Sequence, residues 1–400
     1  MSASRTKLDF ALVCLSGVIG FFGLSSIPRL ATLILAVPIL WGLASSRKAA
    51  FGVMFAYFLT VSRGLLPGAA VFLSENHTFA QAAAVYFLMP LGVALPFLAF
   101  WSEDIQKRAI FLPFAFLVAF VTPPLSLIGI VNPLMAAGTI FRGFGYLGMG
   151  FTLLIWVLCT VKRHLALCSL CVIAAFTVLP GASWYETVAP EGFEAIDTSF
   201  GRLGSGSYDF AQDYERAQFV FDGLRQRNLK DSGAEIIVLP ETVAGRLNST
   251  GLDLWRRKLA KLLPDDAAVI FGGEIPTDNG RKYDNAGIML YKCETNIVRQ
   301  RIPVPYSMYR GPFARTGANL HLLDDGILEL PDGRKAAVVV CYEAYLTWPY
   351  LVSMRHKPDM IISIANLWWC RDTSLPITQR TTVKLWGLLF GVPTLFVQNI

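Results

Sequence analysis

The chain has 400 residues, of which 54% are hydrophobic and only 16% are charged, and its formal net charge is +6. Four of its 29 acidic residues lie in the first 180 positions, and the other 25 lie beyond them. So long a segment with so few carboxylates is excluded as the water-exposed surface of a soluble domain. The basic residues are concentrated in short loops between apolar stretches, which indicates membrane topology and argues against a nucleic-acid-binding surface.

Seven segments of the first 182 residues are apolar enough to predict transmembrane helices, each near the 20 residues that a bilayer requires. They are 8–27, 30–46, 49–73, 79–101, 109–131, 143–161 and 165–182. Pro38 is expected to kink the second of them. The sequence therefore predicts a membrane domain over 1–182 and a soluble domain over 183–400.

The loops between these segments predict the orientation. One set of loops carries eight basic residues, whereas the alternate set, at 28–29, 74–78 and 132–142, carries only Arg29 and Arg142. The eight are Arg5, Lys7, Arg47, Lys48, Lys107, Arg108, Lys162 and Arg163. Positive residues favour the cytoplasmic side, so the amino terminus is predicted to be cytoplasmic. Seven crossings then place the soluble domain on the opposite face, the periplasm if the protein belongs to a bacterial inner membrane.

Polar residues in and around the apolar segments have open interpretations. Arg63 lies inside the third segment, where it either binds a group such as a lipid headgroup or extends its charge toward the interface.

Of the seven cysteines, only Cys293, Cys341 and Cys370 lie in the soluble part, and Cys293 and Cys370 either pair or stay free. The glycine-rich stretch 201–206 lacks the features of a phosphate-binding loop and is interpreted as a linker. We expect no metal, cofactor or nucleotide.

The soluble part alternates strand and helix patterns and is predicted to be an α/β domain of the layered sandwich type. Several predicted strands are apolar throughout, so both faces of their sheets should be covered. Helices are predicted at 208–229, 252–263, 346–354 and 376–389, with Ser249 or Thr250 capping the second. Strands are predicted at 235–239, 267–273, 286–291, 297–304, 327–330, 336–341, 360–366 and 394–397.

Two of these strands end in residues with catalytic potential. The apolar run 235–239 is followed by Pro240 and Glu241, and the run 336–340 is followed by Cys341 and Glu343. A cysteine at the end of a buried strand is well placed to act as a nucleophile if a base activates it, and a carboxylate on a neighbouring strand end can be that base. Alone, each feature is more often structural, since a strand cysteine is usually core and a Pro-Glu pair is usually a surface turn. Their combination is more specific.

The order of motifs over 193–400 resembles the nitrilase (carbon–nitrogen hydrolase) superfamily. The motifs are Leu239-Pro-Glu241, then Gly272, Gly273, Glu274, Tyr283 and Asn285, the Val304-Pro305 pair, Cys341-Tyr-Glu343 and Asn366-Leu-Trp368. The resemblance implies an αββα sandwich with a Glu–Lys–Cys catalytic set. The arrangement of seven predicted spans before such a domain is similar to that of the apolipoprotein N-acyltransferases. Through residues 299–305 (RQRIPVP) and the compact carboxyl end, it looks closer to TraB-type conjugal transfer proteins.

Carried over residue by residue, the resemblance makes Cys341 the nucleophile, Glu241 the general base and Glu343 the supporting glutamate. It also makes Tyr342, Asn366 and Trp368 candidates for substrate binding.

The position of the catalytic lysine departs from the family pattern. Gln300 stands where the lysine is expected, four residues before Val304, and Arg301 is adjacent but should face the other side of a strand. Lys292 lies in the preceding turn, and Met308 replaces a second acid. A cation near the cysteine favours thiolate and stabilises the oxyanion, and losing such a donor costs about 100- to 1,000-fold in rate. Either Arg301 or Gln300 helps to hold the oxyanion, or catalysis is lost and the fold persists.

Three functions therefore stay open at this point. The first is a membrane-anchored, nitrilase-like protein of plasmid conjugal transfer with Cys-dependent acyl-transfer or amide-cleaving activity. The second is an apolipoprotein N-acyltransferase, and the third is a catalytically inactive scaffold of the conjugation apparatus. The expected partners are membrane lipids, a lipoprotein substrate or proteins of the conjugation machinery.

Overall fold

The computed structural model describes residues 3–73, 79–178, 190–201, 210–226, 235–263, 267–292 and 294–400. The chain forms two compact units. The first comprises Met1–Glu186, Tyr345–Trp348 and Cys370–Val392, and the second comprises Thr187–Ala344, Pro349–Trp369 and Pro393–Ile400. The predicted boundary after residue 182 treats the tail as one continuous domain, whereas two short later segments group with the first unit.

The first unit is helical. Its helices are α1 (Ala3–Phe22), α2 (Val37–Leu43), α3 (Arg47–Val61), α4 (Leu65–Leu73), α5 (Phe79–Ala99), α6 (Ile105–Phe120), α7 (Gly145–Val161) and α8 (Arg163–Val178), joined by a later helix, Leu375–Phe390. Each of the seven predicted apolar segments contains a helix. Several helices are shorter than their segments: the second segment is a 3-10 helix, Pro28–Ala36, followed by α2, and the third is divided between α3 and α4.

One helix among the described residues, α5, is long and apolar enough to cross a membrane by itself. The pair α3 and α4, bent by 52° at its break, adds a second if it is counted as one span. At that break, Arg63 donates a hydrogen bond to the Thr60 carbonyl at 3.3 Å, and its guanidinium lies 4.2 Å from the centre of the Phe21 ring. The multi-pass topology stays a prediction.

The second unit is an α/β domain, which confirms the predicted class. Its strands are β1 (Phe193–Ala195), β2 (Ile236–Val238), β3 (Ala268–Thr277), β4 (Lys282–Tyr291), β5 (Glu294–Arg299), β6 (Gly317–Ala318), β7 (Ile327–Glu329), β8 (Lys335–Val340), β9 (Met360–Asn366) and β10 (Thr394–Asn399). The first sheet has the order β1-β2-β3-β4-β5, with β6 beside β4. The second sheet has the order β10-β9-β8-β7.

The helices of this unit are α9 (Phe210–Gln226), α10 (Ser249–Leu262) and α11 (Trp348–Ser353), and the helix Leu375–Phe390 is α12 in chain order. One face of the first sheet packs on α9 and α10, where the Trp255 ring stacks on Phe271 at 4.5 Å. The opposite face packs on the second sheet through residues such as Ile270 and Ile362. Residues of both faces are buried, as the continuous apolar strands predict.

Three local predictions need correction. Helix α10 is capped by Asn248, whose side chain accepts a hydrogen bond from Gly251 N at 2.8 Å, and not by Ser249 or Thr250. The strand predicted at 297–304 ends at Arg299, because Gln300 and Arg301 turn their side chains into two separate hydrogen-bonded networks. The short strands β1 and β6 carry too few residues for a periodic pattern, and sequence reasoning missed them. Cys293 and the glycine-rich stretch at 202–206 lie outside the described residues.

Candidate active site

Glu241 lies in a tight turn that follows β2. The next residue, Thr242, has a φ of 59°, a conformation that β-branched residues rarely adopt. The turn also rests directly on β3: a Cβ at Gly272 would come within 2.6 Å of the Thr242 nitrogen and 2.8 Å of the Glu241 carbonyl carbon. The glycine at position 272 is therefore required for the backbone of Glu241 to approach the sheet.

Cys341 follows β8 in a second strained turn. Its φ is 51°, and it begins the 3-10 turn Cys341–Tyr345. A non-glycine residue held in this left-handed region costs about 1–3 kcal/mol and is concentrated at functional sites. The Cys341 thiol lies close enough to the Glu241 carboxylate to lower the pKa of that carboxyl group. The structure thus brings the predicted nucleophile and the predicted base into contact.

The Glu241 carboxyl group is almost wholly buried, with 3% of the residue exposed. Burial raises its pKa from 4.5 to about 7, since the charged form loses its hydration. Hydrogen bonds from Cys341, Asn285 and the backbone of Asn366 lower the pKa, and the charge of Glu343 raises it. A carboxylate with a pKa near neutrality can both take up and return a proton at physiological pH.

Gln300 occupies the position expected for the catalytic lysine, and it lies beside Glu241. Asn285 on β4 connects the two residues. Its Nδ2 donates to Glu241 Oε1 at 2.6 Å and to Gln300 Oε1 at 2.9 Å. Gln300 Nε2 in turn donates to the Val340 carbonyl at 2.9 Å, one residue before Cys341. A neutral amide thus stands where a cation was expected.

Arg301 lies in a different network, centred on Glu343. Arg301 Nη2 is 3.1 Å from Glu343 Oε2, and neither side chain is exposed to solvent. Glu343 also accepts from the backbone N–H groups of Arg301, Ile302 (3.0 Å) and Val340 (3.2 Å). The remaining guanidinium donors bond to the Val338, Asp325 and Pro349 carbonyls and to the Ser353 hydroxyl. In this structure the charge of Arg301 is committed to Glu343.

The other candidate residues differ in their burial and in their contacts. Tyr342 is buried beside Cys341, and burial raises the pKa of its phenol. Asn366 reaches Glu241 through its backbone, while its side-chain Oδ1 accepts from Asn399 Nδ2 at 2.8 Å. Trp368 is half-buried at the start of the 3-10 turn Trp368–Cys370. Lys292 is exposed, and its Nζ lies 5.0 Å from the Tyr291 ring centre.

Within the described ranges, no group of three or more His, Cys, Asp or Glu residues is arranged to hold a metal ion.

Comparison with known proteins identifies the family. No family model matches the chain. Over 405 residues it is 32% identical to the conjugal transfer protein TraB of Agrobacterium fabrum, covering 97% of this chain and 92% of that protein. The chain belongs to the TraB family of conjugal transfer proteins. The probable conjugal transfer protein TraB of Sinorhizobium fredii is 28% identical over 406 residues, or 97% of each chain.

Among solved structures, this TraB-family chain is similar to an amidase of the nitrilase superfamily from Nesterenkonia. The identity is 12%, the TM-score is 0.36, and the match covers 53% of this chain and 79% of the amidase. A glutamine-dependent NAD+ synthetase from Acinetobacter baumannii matches with 11% identity and a TM-score of 0.29, over 43% of this chain and 31% of that chain.

Asn285 is the site residue of this TraB-family protein whose contacts sequence reasoning missed. It was noted only as part of a motif, because an asparagine in a strand carries no chemical signal of its own. The signal that could have found it is burial within a predicted sheet. Asn285 lies between Asp284 and Ala286 in the buried part of β4, where a polar side chain requires a hydrogen-bonding partner.

Proposed function

We propose that this TraB-family protein is a membrane-anchored component of plasmid conjugal transfer whose αββα, nitrilase-like domain performs acyl transfer or amide cleavage through Cys341. The observation that carries the proposal is the proximity of the Cys341 thiol to the buried Glu241 carboxylate, whose pKa it lowers, at two strained strand ends. A structural cysteine needs neither a strained backbone nor a buried carboxylate beside it.

The residues support a balanced two-step reaction. The thiol proton of Cys341 passes to Glu241 while the sulfur bonds to the carbonyl carbon of an ester or amide. The carbon–oxygen or carbon–nitrogen bond then breaks, and the leaving group takes the proton from Glu241. This leaves a thioester on Cys341. Water or an amine attacks the thioester in the second step, with Glu241 accepting the proton of the attacking group, and the thiol is restored.

The polypeptide around the site supplies neutral groups to hold the oxyanion. Gln300 Nε2 is one candidate donor, although it donates to Val340 O in this structure. Arg301 is the alternative, and it would first have to leave Glu343. Because Gln300 and Arg301 are both bonded to other partners, we expect a slower reaction than a lysine would support.

We further propose that the first unit is a multi-pass domain of the bacterial inner membrane and that the α/β domain is periplasmic. The distribution of basic loops and the long helix α5 support this proposal. Exposed apolar residues on α6 and α7 also support it, because they recur at helical spacing, as on a lipid-facing surface. These residues are Ile110, Phe114 and Leu117 on α6, and Leu147, Phe151, Leu154 and Leu158 on α7.

The location can be tested with alkaline phosphatase fused after Ile400, since that enzyme is active only outside the cytoplasm. We expect high activity for this fusion and low activity for a matched fusion at residues 107–108, in the basic first turn of α6. The reverse pattern would refute the periplasmic placement.

The activity can be tested on the full-length protein purified from membranes. We expect mass spectrometry to find a thioester-linked acyl group on the peptide that contains Cys341, released by hydroxylamine and absent from Cys341→Ala. Buried Cys370 serves as the internal control, because burial raises the pKa of its thiol and so lowers its reactivity. A Cys341 that carries no acyl group and reacts no faster than Cys370 with a small alkylating reagent would refute the proposal.

The neutral Gln300 specifically favours a second candidate, a catalytically inactive scaffold of the conjugation apparatus. Conjugation frequency separates the two, since Cys341→Ala abolishes transfer if catalysis matters and leaves it unchanged for a scaffold. Apolipoprotein N-acyltransfer is a narrower form of the first proposal, with a lipid as acyl donor and a lipoprotein as acceptor. Rescue of a strain depleted of its own N-acyltransferase tests it.

A further inference from the structure

We propose that Asn285 and Gln300, here called the amide bridge, are positioning residues that hold Glu241 ready to accept the Cys341 proton and that do so without a cation. This inference rests on the proposed function and deepens it, because it assigns to two neutral side chains a task that the resemblance gives to a lysine.

The amide bridge is short and dry. Asn285, Gln300 and Glu241 are 2%, 1% and 3% exposed, and the distances along the bridge are 2.6, 2.9 and 2.9 Å. Polar groups buried so completely are costly unless they are paired, so the bridge side chains have little freedom to rotate away.

The direction of the hydrogen bonds follows from the two ends of the amide bridge. The Val340 carbonyl can only accept, so Gln300 must present Nε2 to it and turn Oε1 toward Asn285. Asn285 must then donate from Nδ2, and the second hydrogen of the same nitrogen points at Glu241 Oε1. The bridge therefore ends in a donor aimed at the carboxylate, which favours the ionised form that accepts a proton.

The amide bridge also connects the two sheets. Asn285 lies on β4 and Gln300 follows β5 in the first sheet, and the backbone bond from Gln300 N to Asn285 O, at 2.7 Å, holds them side by side. Val340 is the last residue of β8 in the second sheet and immediately precedes Cys341. Base and nucleophile are thus held in register by a single hydrogen-bonded path.

The charges around Glu241 leave this task to the amide bridge. Cys341 lowers the pKa of the Glu241 carboxyl group, and the charge of Glu343 raises it. The charge of Glu241 in turn raises the pKa values of Glu274 and Tyr283. The main effects on the Glu241 pKa come from burial, Cys341, Asn285, the Asn366 backbone and Glu343, and none of these is a cation. Hydrogen bonds from neutral groups lower the Glu241 pKa and so oppose the rise that burial causes.

The test is the pH dependence of Cys341 alkylation by iodoacetamide, followed by mass spectrometry on the full-length protein in membranes between pH 5 and 9. The reactive form arises when the Cys341–Glu241 pair loses its first proton, so the rate reports the apparent pKa of the pair. Asn285→Asp replaces the donor with an acceptor of the same shape and should move the profile up by about one pH unit or more. Gln300→Lys introduces a cation and should move it down by about one pH unit.

Opposite shifts distinguish positioning from a structural role, because general loosening of the fold would move both profiles in the same direction. Exposed Asn296→Asp on β5 is the control, and it should leave the profile unchanged. If Asn285→Asp fails to fold, the shift in the pH profile of Gln300→Lys still tests the amide bridge. Unchanged profiles in folded Asn285→Asp and Gln300→Lys would overturn the amide bridge while leaving a reactive Cys341 intact. A wild-type Cys341 that does not react faster than Cys370 would instead overturn the proposed function.

Discussion

The Arg301 guanidinium and the Glu343 carboxylate form an ion pair, with Nη2 and Oε2 3.1 Å apart and both side chains fully inaccessible to solvent. Glu343 also accepts a hydrogen bond from Val340 N at 3.2 Å, so the pair connects the segment after β5 to the strand end that carries Cys341. The arginine that the sequence offered as a substitute for the catalytic lysine thus supports the turn from which the nucleophile projects.

Arg301→Met should destabilise the protein strongly. Removing one partner of a buried ion pair leaves the other charge uncompensated and costs about 3–5 kcal/mol. We expect this loss in the free energy of unfolding of the full-length protein in detergent. Arg225→Met is the matched control, because Arg225 and its partner Asp222 are both more than half exposed and such pairs contribute about 1 kcal/mol or less. Equal effects of the two substitutions would contradict this account.

The backbone at Cys341 predicts an unusual ranking of small residues. At φ 51°, glycine is unstrained and alanine is not, so Cys341→Gly should be more stable than Cys341→Ala by about 1 kcal/mol. At the buried strand residue Ala337, alanine should be more stable than glycine, so Ala337→Gly should destabilise the protein. Thermal unfolding of the three variants measures the difference, and a Cys341→Ala protein as stable as Cys341→Gly would argue against a strained turn.

The raised pKa of Glu241 predicts how stability changes with pH. The folded state binds the proton more tightly than the unfolded state, whose pKa is near 4.5, so stability falls as pH rises from about 4.5 to about 7 and then levels off. The loss amounts to roughly 3 kcal/mol at most. Glu241→Gln lacks this titration and should gain stability relative to wild type across that range.

Unfolding measured at pH 5 and pH 8 tests this prediction. Burial also raises the pKa of Glu274 to about 7, with a smaller contribution from the charge of Glu241, so most of the fall due to Glu274 is common to both proteins. Parallel stability curves for wild type and Glu241→Gln would show that Glu241 does not titrate in this range.

Gly272→Ala should displace the turn that carries Glu241. The added methyl group would meet backbone atoms of Glu241 and Thr242, which cannot move aside as a flexible side chain can. We expect loss of Cys341 reactivity together with a destabilisation of about 1–3 kcal/mol from overpacking. Gly223→Ala in α9 is the control, since nothing lies within 4 Å of its added Cβ, and it should stabilise the helix by up to about 1 kcal/mol. Normal thiol reactivity in Gly272→Ala would contradict the proposed packing.

The sequence by itself determined the elements and the chemistry of the strand ends. Uninterrupted apolar runs such as 336–340 can be satisfied only between two covered sheet faces, so the α/β class follows from local pattern. The same holds for the apolar helices of the first 182 residues and for the pairing of a cysteine with a carboxylate as candidates, because residue type and spacing are local properties.

The tertiary structure alone decided which groups meet. Gln300 and Arg301 are adjacent in sequence, yet one bonds to Asn285 and the other to Glu343, because neighbouring side chains of an extended segment point in opposite directions. The contact between Cys341 and Glu241 joins residues 100 positions apart, and the grouping of 370–392 with the first unit joins segments still further apart. Such contacts depend on how two sheets stack and on which buried polar groups find partners, and no local sequence pattern contains that information.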